Sequence, residues 1–284
     1  MIRKADGSPL LQVGRTAIMG ILNATPDSFS DGGFFISVSK AVDHVAKMID
    51  GGADMIDIGG ESTRPGASAV SAEEEVNRVI PIIEAISQRF SVMISVDTSK
   101  AAVMQSAVNA GAAMINDVRA LQQDDALHTA AEMAVPVCLM HMQGQPQSMQ
   151  NKPAYTDVTT EVREFLTERV DKCVEAGIEL NNLILDPGFG FGKTREQNFQ
   201  LLNELDDIRS HSLPVLAGLS RKSMIGQTLD LDVGERMPAS IALALLAVSN
   251  GANILRVHDV KETSQAIRML EAVIKEKKER AQMS

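Results

Sequence analysis

The chain has 284 residues, a hydrophobic fraction of 44% and a formal net charge of −10. This length accommodates either two average domains or one (β/α)8 barrel, which typically needs about 250 residues. The acidic balance argues against nucleic acid and anionic membranes as partners, because both require a basic protein face.

The cysteines and the N-terminal residues indicate the compartment. Cys138 and Cys173 form no C-x-x-C pair, so we expect two ordinary buried thiols in a reducing, cytoplasmic environment. The first residues lead into no long apolar run, which predicts that there is no signal peptide. The longest apolar stretch, 239–248, is half as long as the roughly 20 residues that a membrane span requires.

Short apolar runs alternate with helical patterns along the whole chain. The predicted strands cover residues 17–23, 55–60, 92–97, 114–118, 136–141, 183–186, 214–220 and 254–259. A helix-stopping glycine directly precedes three of these strands, at Gly52, Gly111 and Gly251. Ser71 with Glu74 is predicted to cap the second helix, and Thr98 or Ser99 the third.

Eight such strands without a linker-like segment predict one domain over residues 1–284. The predicted fold is a (β/α)8 TIM barrel of the α/β class rather than an open doubly wound sheet. Residues 10–13 remain outside the alternation, and we expect them to form a short strand or hairpin that plugs the base of the barrel.

The sixth strand ends at Asp186 and leads into the glycine-rich turn Pro187–Lys193. Gly192, Lys193 and Thr194 look like the end of a phosphate-binding Walker A loop, but the spacing places Pro187 where that motif needs glycine. A dinucleotide fingerprint fails as well, because Lys193 stands where its third glycine belongs. The glycines are therefore expected to let the backbone pass close to a bound ring.

Polar side chains occur at or near the carboxyl end of each predicted strand, where a barrel gathers them at one mouth. Four of them can donate and accept hydrogen bonds in one plane, as recognition of a polar heterocycle requires: Asp97, Asn116, Asp186 and Lys222. Arg256 and His258 are alternate residues of one strand and face the same side, with Asn23 nearby. They suit an anion such as pyrophosphate with a hydrated Mg²⁺.

These residues also have structural interpretations. Asp57 could merely cap a neighbouring loop, and the pattern does not separate this role from a functional one. His141 is typical of a hydrogen-bonded rim histidine, and Asp259 of a helix N-cap. Arg256 and His258 could pair with nearby carboxylates, although two cations on one face favour an anion.

The motifs at the strand ends resemble those of a known family. The stretches MGILNATPDSFSDGG at 19–33 and GGESTRPG at 59–66 resemble the two signatures of bacterial dihydropteroate synthases, which are pterin-binding TIM barrels. The likeness covers nearly the whole chain in the same order. It continues at 95–98, 115–117, 185–193, 220–223 and 256–259.

The resemblance implies a transferase of folate biosynthesis that joins (7,8-dihydropterin-6-yl)methyl diphosphate to 4-aminobenzoate and yields 7,8-dihydropteroate and pyrophosphate. The residues that it implies for the pterin are Asp97, Asn116, Asp186 and Lys222, with Met140 and Phe191 lining the pocket. Those implied for the diphosphate are Thr63, Arg64, Arg256 and His258, and the residue implied for Mg²⁺ is Asn23. The 4-aminobenzoate pocket, where sulfonamides compete, would be framed by Phe29, Thr63, Pro65, Ser220 and Lys222. The residues implied in catalysis are Asp97, Lys222, Arg256 and His258.

Such a reaction can begin with loss of pyrophosphate, because the pterin ring delocalises the cation that results. The loops at 24–36 and 61–70 are expected to close over the mouth and exclude water. The helix around 239–248 is apolar on nearly every side, which with the resemblance implies a homodimer. Two alternatives are a methyltetrahydrofolate-binding methyltransferase-type barrel and a catalytically silent pterin-binding protein.

Overall fold

The computed structural model describes residues 2, 9–12, 14–25, 34–62, 69–144 and 153–283. The strands within these ranges are β1 Ala17–Asn23, β2 Met55–Gly59, β3 Met93–Asp97, β4 Met114–Asp117, β5 Val137–Met140, β6 Leu183–Asp186, β7 Leu216–Ala217 and β8 Ile254–Val257. The helices described are α1 Phe34–Asp50, α2 Ala72–Arg89, α3 Ala101–Asn109, α4 Ala126–Met133, α5 Val158–Glu175, α6 Arg195–Asn203, α7 Ser223–Leu229, α8 Met237–Ser249 and α9 Val260–Met283. Every predicted strand is present, although the seventh is reduced to two paired residues.

All the strands are parallel and form one sheet in the order β6-β5-β4-β3-β2-β1-β8-β7. The two ends of this sheet meet at a parallel bridge between Leu185 and Val215, where the Leu185 amide donates to the Pro214 carbonyl at 2.9 Å. The sheet is therefore closed into a barrel with helices around it, and the predicted (β/α)8 fold is confirmed.

The lower end of the barrel is filled by apolar side chains. One inward-facing layer consists of Met19, Met55, Met93, Met114, Cys138, Ile184, Leu216 and Ile254, all nearly or completely buried. Ile2 and Leu10 pack against this layer, and the Leu10 amide donates to the Ile2 carbonyl at 2.9 Å. This agrees with the predicted plug at the base, although Val13 lies outside the described residues. Burial of each such side chain stabilises the fold by roughly 1.5–3 kcal/mol.

The same short turn precedes three of the strands, as predicted. Gly52, Gly111 and Gly251 all have φ between +102° and +116°, a region that side-chain-bearing residues seldom adopt. The backbone amide of the residue after each glycine donates to a carbonyl in the last turn of the preceding helix. This hydrogen bond ends the helix.

The predicted helix caps are confirmed only in part. Ser71 Oγ accepts a hydrogen bond from the Glu74 amide at 3.1 Å at the start of α2. The prediction for α3 is wrong, because that helix begins at Ala101 after Lys100, which makes no side-chain cap. Ser99 is instead engaged by the Asp117 carboxylate on the neighbouring strand.

Helix α8 is built largely of Ala, Leu, Ile and Val. It buries Ser240, Ala244 and Ala247 against the barrel, whereas Leu246 remains 51% exposed. No helix in the described ranges is both long and apolar enough to cross a lipid bilayer.

Candidate active site

The inward-facing side chains become polar towards the carboxyl ends of the strands. Because alternate residues of a strand face the same side, the positions two residues beyond the apolar layer also face inward. They include Asp57, Ser95, Asn116, Asp186 and Arg256, and all but Arg256 are buried. Polar groups buried in a barrel cost free energy unless they bind each other or a ligand. This polar layer is therefore the candidate active site, and we call its open side the barrel mouth.

Arg256 joins three strands across the barrel mouth. Its Nε donates to Asp57 Oδ2 at 2.6 Å, and its Nη2 donates to Asp97 Oδ2 at 2.8 Å. Asn116 Nδ2 donates to the same Asp57 oxygen at 3.1 Å. Of the two interpretations of Arg256 from the sequence, pairing with nearby carboxylates is the one that the structure adopts.

The pKa values of this cluster follow from its burial and charges. Burial raises the pKa of Asp97 to about 7, with Asp57, Glu75 and Asp117 adding to the rise and Arg256 opposing it. For Arg256, burial lowers the pKa, but Asp57 and Asp97 outweigh it and raise the pKa above its ordinary value. Arg256 thus stays charged, while Asp97 titrates near neutrality.

Asp57 is a part of this site that sequence analysis did not separate from a loop cap. Its side chain is fully buried and accepts from both Arg256 and Asn116. Oδ1 of Asp57 and Oδ1 of Asn116 have no hydrogen-bond partner among the described residues. The spacing of two residues from inward-facing Met55 is the signal that assigns Asp57 to the barrel interior.

The glycine-rich turn after β6 is fixed to its own aspartate. Asp186 Oδ1 accepts from the Gly188 amide at 2.8 Å, and burial raises the pKa of Asp186. Gly188 has φ +69°, and a Cβ there would lie 1.9 Å from the His141 carbonyl oxygen. Only glycine allows the turn to pass this close to the end of β5.

Lys222 lies against the same turn. Its Nζ is 4.2 Å from the centroid of the Phe191 ring, a cation–π distance, and a Cβ on Gly190 would lie 3.2 Å from its Cδ. Burial lowers the pKa of Lys222 to about 8, and Arg256 lowers it further while Asp186 raises it. The structure thus brings Lys222, Phe191 and Asp186 together, as the sequence predicted.

His258 lies beside Ser220 at the mouth. Ser220 Oγ and His258 Nδ1 are 3.0 Å apart, and the His258 amide donates to the same oxygen at 3.2 Å. Burial lowers the pKa of His258 to about 4, with Arg256 and Arg221 lowering it further. With this pKa His258 is neutral at pH 7 before an anion binds, so its part in a pair of cations with Arg256 stays a prediction.

A second contact connects the loops that carry Lys222 and His258. Arg221 adopts φ +58°, and its Nε donates to Asp259 Oδ2 at 3.0 Å. Asp259 directly precedes α9, as its predicted capping position requires, but its carboxylate binds this arginine.

The remaining predicted residues divide into two groups. Asn23 ends β1, and Met140 packs with Phe191 and Val118 in a small apolar cluster. Phe29, Thr63, Arg64 and Pro65 lie outside the described residues, as do parts of the loops at 24–36, 61–70 and 142–156.

Sequence analysis missed a buried lysine at the end of the turn. Lys193 is 2% exposed, and its Nζ lies 3.0 Å from His141 Nδ1. His141 is hydrogen-bonded as predicted, but it is buried rather than on the rim. Lys193 also donates to the carbonyls of Gly188 and Phe191. These contacts give the lysine a role that needs no phosphate, in agreement with the rejection of the Walker A interpretation.

Comparison with known proteins places this chain in one family. The family model described as "Pterin binding enzyme" matches residues 19–258. The dihydropteroate synthase of Escherichia coli is 53% identical over 267 residues, which are 94% of this chain and 95% of that protein.

Solved structures agree in fold. Yersinia pestis dihydropteroate synthase with a sulfonamide drug matches with a TM-score of 0.89 and 52% identity, covering 93% of this chain and 96% of that one. Xanthomonas albilineans dihydropteroate synthase with 4-aminobenzoic acid matches with a TM-score of 0.86 and 50% identity, covering 91% and 93%. With these matches over nearly its full length, and with the polar layer at the carboxyl ends of its strands, this chain belongs to the dihydropteroate synthase family of pterin-binding enzymes.

Proposed function

We propose that the protein condenses (7,8-dihydropterin-6-yl)methyl diphosphate with 4-aminobenzoate to form 7,8-dihydropteroate and pyrophosphate. The observation that carries this proposal is the convergence of Asp97, Asp186, Lys222 and Arg256 at one barrel mouth in a chain of this family. A sulfonamide is bound to the Yersinia pestis protein and 4-aminobenzoic acid to the Xanthomonas albilineans protein. We propose that this chain has the same pocket.

The pterin is proposed to bind in the polar layer. A pterin presents N–H donors and ring-nitrogen acceptors along one edge, which suits carboxylate acceptors at Asp186 and an amide at Asn116. Lys222 supplies a donor, and Phe191 and Met140 supply apolar faces for the ring. Burial strengthens each of these hydrogen bonds relative to water.

Bond breaking comes first in the proposed mechanism. The bond between the methylene carbon and the diphosphate oxygen breaks, and the electron pair leaves with pyrophosphate. Asp97 stabilises the resulting pterin cation, while Arg256 and His258 bind the departing anion, together with Thr63 and Arg64. His258 is neutral in the free protein and donates a hydrogen bond from its N–H, or gains a proton as the diphosphate approaches.

Bond formation completes the exchange. The lone pair of the 4-aminobenzoate nitrogen attacks the methylene carbon, and the proton released from nitrogen passes to water or to pyrophosphate. Lys222 and Ser220, with Phe29, Thr63 and Pro65, are proposed to frame the second substrate and the competing sulfonamides. No side chain has to act as a strong base, because attack of the amine gives a positively charged nitrogen with two protons. This ammonium is acidic and loses a proton readily.

Mg²⁺ is proposed to accompany the diphosphate. Mg²⁺ prefers oxygen ligands and keeps several waters, so one amide oxygen from Asn23 is sufficient beside diphosphate oxygens. The described residues contain no group of three or more His, Cys, Asp or Glu that could hold a metal, which fits an ion held mainly by substrate. When bound, the ion would neutralise charge on the leaving group.

The reaction is tested with purified protein, dihydropterin diphosphate and Mg²⁺, with and without 4-aminobenzoate. We expect dihydropteroate to form only with the amine. Pterin binding without pyrophosphate release would favour a silent pterin-binding protein. Methyl transfer from methyltetrahydrofolate instead would favour the methyltransferase-type barrel.

We also infer a homodimer through the helices α8 and α9. Leu246 on α8, and Met269 and Val273 on α9, are 51%, 67% and 64% exposed, and the two helices pack side by side. Exposed apolar side chains on two neighbouring helices favour burial against a second copy. Light scattering at micromolar concentration is expected to give twice the chain mass, and a monomeric mass would overturn the inference.

A further inference from the structure

The glycine-rich turn after β6 closes around a single lysine amino group. Lys193 Nζ donates to the Gly188 carbonyl at 2.9 Å and to the Phe191 carbonyl at 3.1 Å, and lies 3.0 Å from His141 Nδ1. Burial lowers the pKa of Lys193 to about 7, with Asp186 opposing the fall and Lys222 adding to it. In its charged form the ammonium has three donors and no acceptor, and these three partners satisfy it completely. The turn is thus folded around an amino group that belongs to the chain itself.

The neighbouring histidine has the protonation state that this arrangement needs. Burial, with the charge of Lys193, lowers the pKa of His141 to about 2, so the ring is neutral at pH 7. A charged ammonium can only donate, so Nδ1 at 3.0 Å accepts from it when the ring proton is on Nε2. The His141 ring packs edge-on against Phe165 at 4.9 Å between centroids, and the His141 amide donates to the Asp186 carbonyl at 2.9 Å. His141 is therefore fixed to the barrel and offers Lys193 a rigid acceptor.

One contact of Lys193 holds the backbone of Phe191. The Phe191 carbonyl is held by Lys193, and the ring on the other side of the same residue lies 4.2 Å from Lys222 Nζ. Phe191 and Lys222 are both proposed to contact the pterin, whereas the three hydrogen-bond contacts of Lys193 are to the turn itself and to His141.

We propose that Lys193 is a positioning residue for pterin binding, which acts by holding the Gly188 and Phe191 carbonyls and thereby orienting the Phe191 ring. This inference rests on the proposed function, since it concerns the pterin site. It does not give Lys193 any contact with the reacting atoms.

The proposal is tested by a double-mutant cycle between Lys193 and Phe191, with binding measured by calorimetry. The ligand is 6-hydroxymethyl-7,8-dihydropterin, which has the ring but no diphosphate. Lys193→Met keeps the side-chain length and removes the donors, and we expect its dissociation constant to rise about 10-fold or more. In a Phe191→Ala background the same change is expected to cost less than about 3-fold, because the ring that Lys193 orients is absent.

Steady-state kinetics provide the second measurement. A positioning residue for the pterin raises KM for the pterin diphosphate, while kcat at saturation stays within about 3-fold of the wild type. Tyr155→Phe is the matched control, because it also removes a side-chain donor to the same turn, but Tyr155 Oη donates to the Gly192 carbonyl, at 2.9 Å, and Lys193 to the Phe191 carbonyl. Its pterin affinity is expected to change less than about 2-fold.

Three outcomes would overturn the proposal. They are an unchanged pterin affinity in folded Lys193→Met, equal losses in both Phe191 backgrounds, and a fall in kcat alone. If Lys193→Met does not fold, His141→Gln weakens one of the three contacts, and the same coupling to Phe191 is expected at a smaller size. Wild-type protein that fails to bind the pterin would contradict the proposed function instead, so the two failures are distinguishable.

Discussion

Replacement of Asp97 by asparagine removes the carboxylate that is proposed to stabilise the pterin cation. The side chain keeps its shape, and Arg256 keeps its second partner, Asp57, at 2.6 Å. The substitution therefore removes one negative charge from the barrel mouth and leaves the rest of the ion-pair cluster in place.

The size of the effect follows from the distances. Two unit charges about 4 Å apart interact by about 4 kcal/mol at an effective dielectric constant of about 20, which corresponds to about 1000-fold in rate. Arg256 Nη2, 2.8 Å from Asp97 Oδ2, neutralises part of that charge. We therefore expect kcat to fall about 100- to 1000-fold.

The pH dependence gives an independent readout of the same carboxylate. The pKa of Asp97 is about 7, and a carboxyl group is ionised above its pKa, so wild-type kcat/KM is expected to fall below about pH 7. Asp97→Asn should lack this acid limb. Because burial raises the pKa of Asp97, its charge disfavours the folded state above its unfolded-state pKa. The variant is thus expected to unfold at a temperature no lower than the wild type at pH 8.

The assay is steady-state release of pyrophosphate, with Asp54→Asn as the matched control. Asp54 is also a buried carboxylate paired to an arginine, Arg15, but it precedes β2 and so lies at the opposite end of the barrel. Its replacement should affect stability and leave the pH profile unchanged. An acid limb that persists in Asp97→Asn would refute the role of this carboxylate, as would a kcat within about 3-fold of the wild type.

Three further substitutions test other parts of the site. Gly188→Ala would place a Cβ 1.9 Å from the His141 carbonyl at φ +69°, and we expect chemical denaturation to report a loss of about 3 kcal/mol or more. Gly177→Ala, at φ +97° with no atom within 4 Å, should cost only about 1–2 kcal/mol, and equal losses would contradict the steric argument. Asp57→Asn leaves Arg256 with one carboxylate and should weaken pterin binding about 10-fold or more in calorimetry, whereas unchanged affinity would remove Asp57 from the site. The pKa of Lys222 is about 8, so pterin affinity should fall above that pH; Lys222→Arg should abolish this alkaline fall, and its persistence would assign it to another group.

The barrel could be predicted because its strands are buried on both faces. Runs such as 17–22 and 183–185 are apolar at every inner and outer position before a polar residue ends the strand, and the structure places both as predicted. The seventh strand was predicted over 214–220, but it is two residues long, Leu216–Ala217, with an isolated bridge at Val215. Ser220 and Lys222 lie beyond the paired residues of this strand, at the mouth, and no local sequence signal marks where the pairing ends.

The positions of polar residues at the strand ends predicted the members of the site, but not which of them bind each other. Asp97 and Asn116 were predicted from their positions after apolar runs, because a parallel barrel brings such ends together. The contact between Arg256 and Asp57 joins residues 199 positions apart in the chain. It can be identified only from the closed sheet. The neutral state of His258 likewise depends on its burial and on Arg256, neither of which a sequence pattern reports.

Lys193 shows a different limit. Its spacing in the glycine-rich turn excluded a phosphate loop, but gave no reason for the lysine itself. The reason lies in carbonyl groups of the turn and in His141 on another strand, and these converge only after the backbone has adopted three positive φ angles at Gly188, Gly190 and Gly192.

Incorporation of radiolabelled 4-aminobenzoate tests the central claim most directly. Wild-type protein, dihydropterin diphosphate and Mg²⁺ are expected to convert the label into dihydropteroate with one pyrophosphate released for each molecule formed. Omitting the pterin diphosphate should abolish incorporation, and a sulfonamide should compete with the labelled amine. Release of pyrophosphate with no labelled product, or binding of the pterin with neither product, would contradict the proposal that this barrel mouth is the site of a pterinylmethyl transferase.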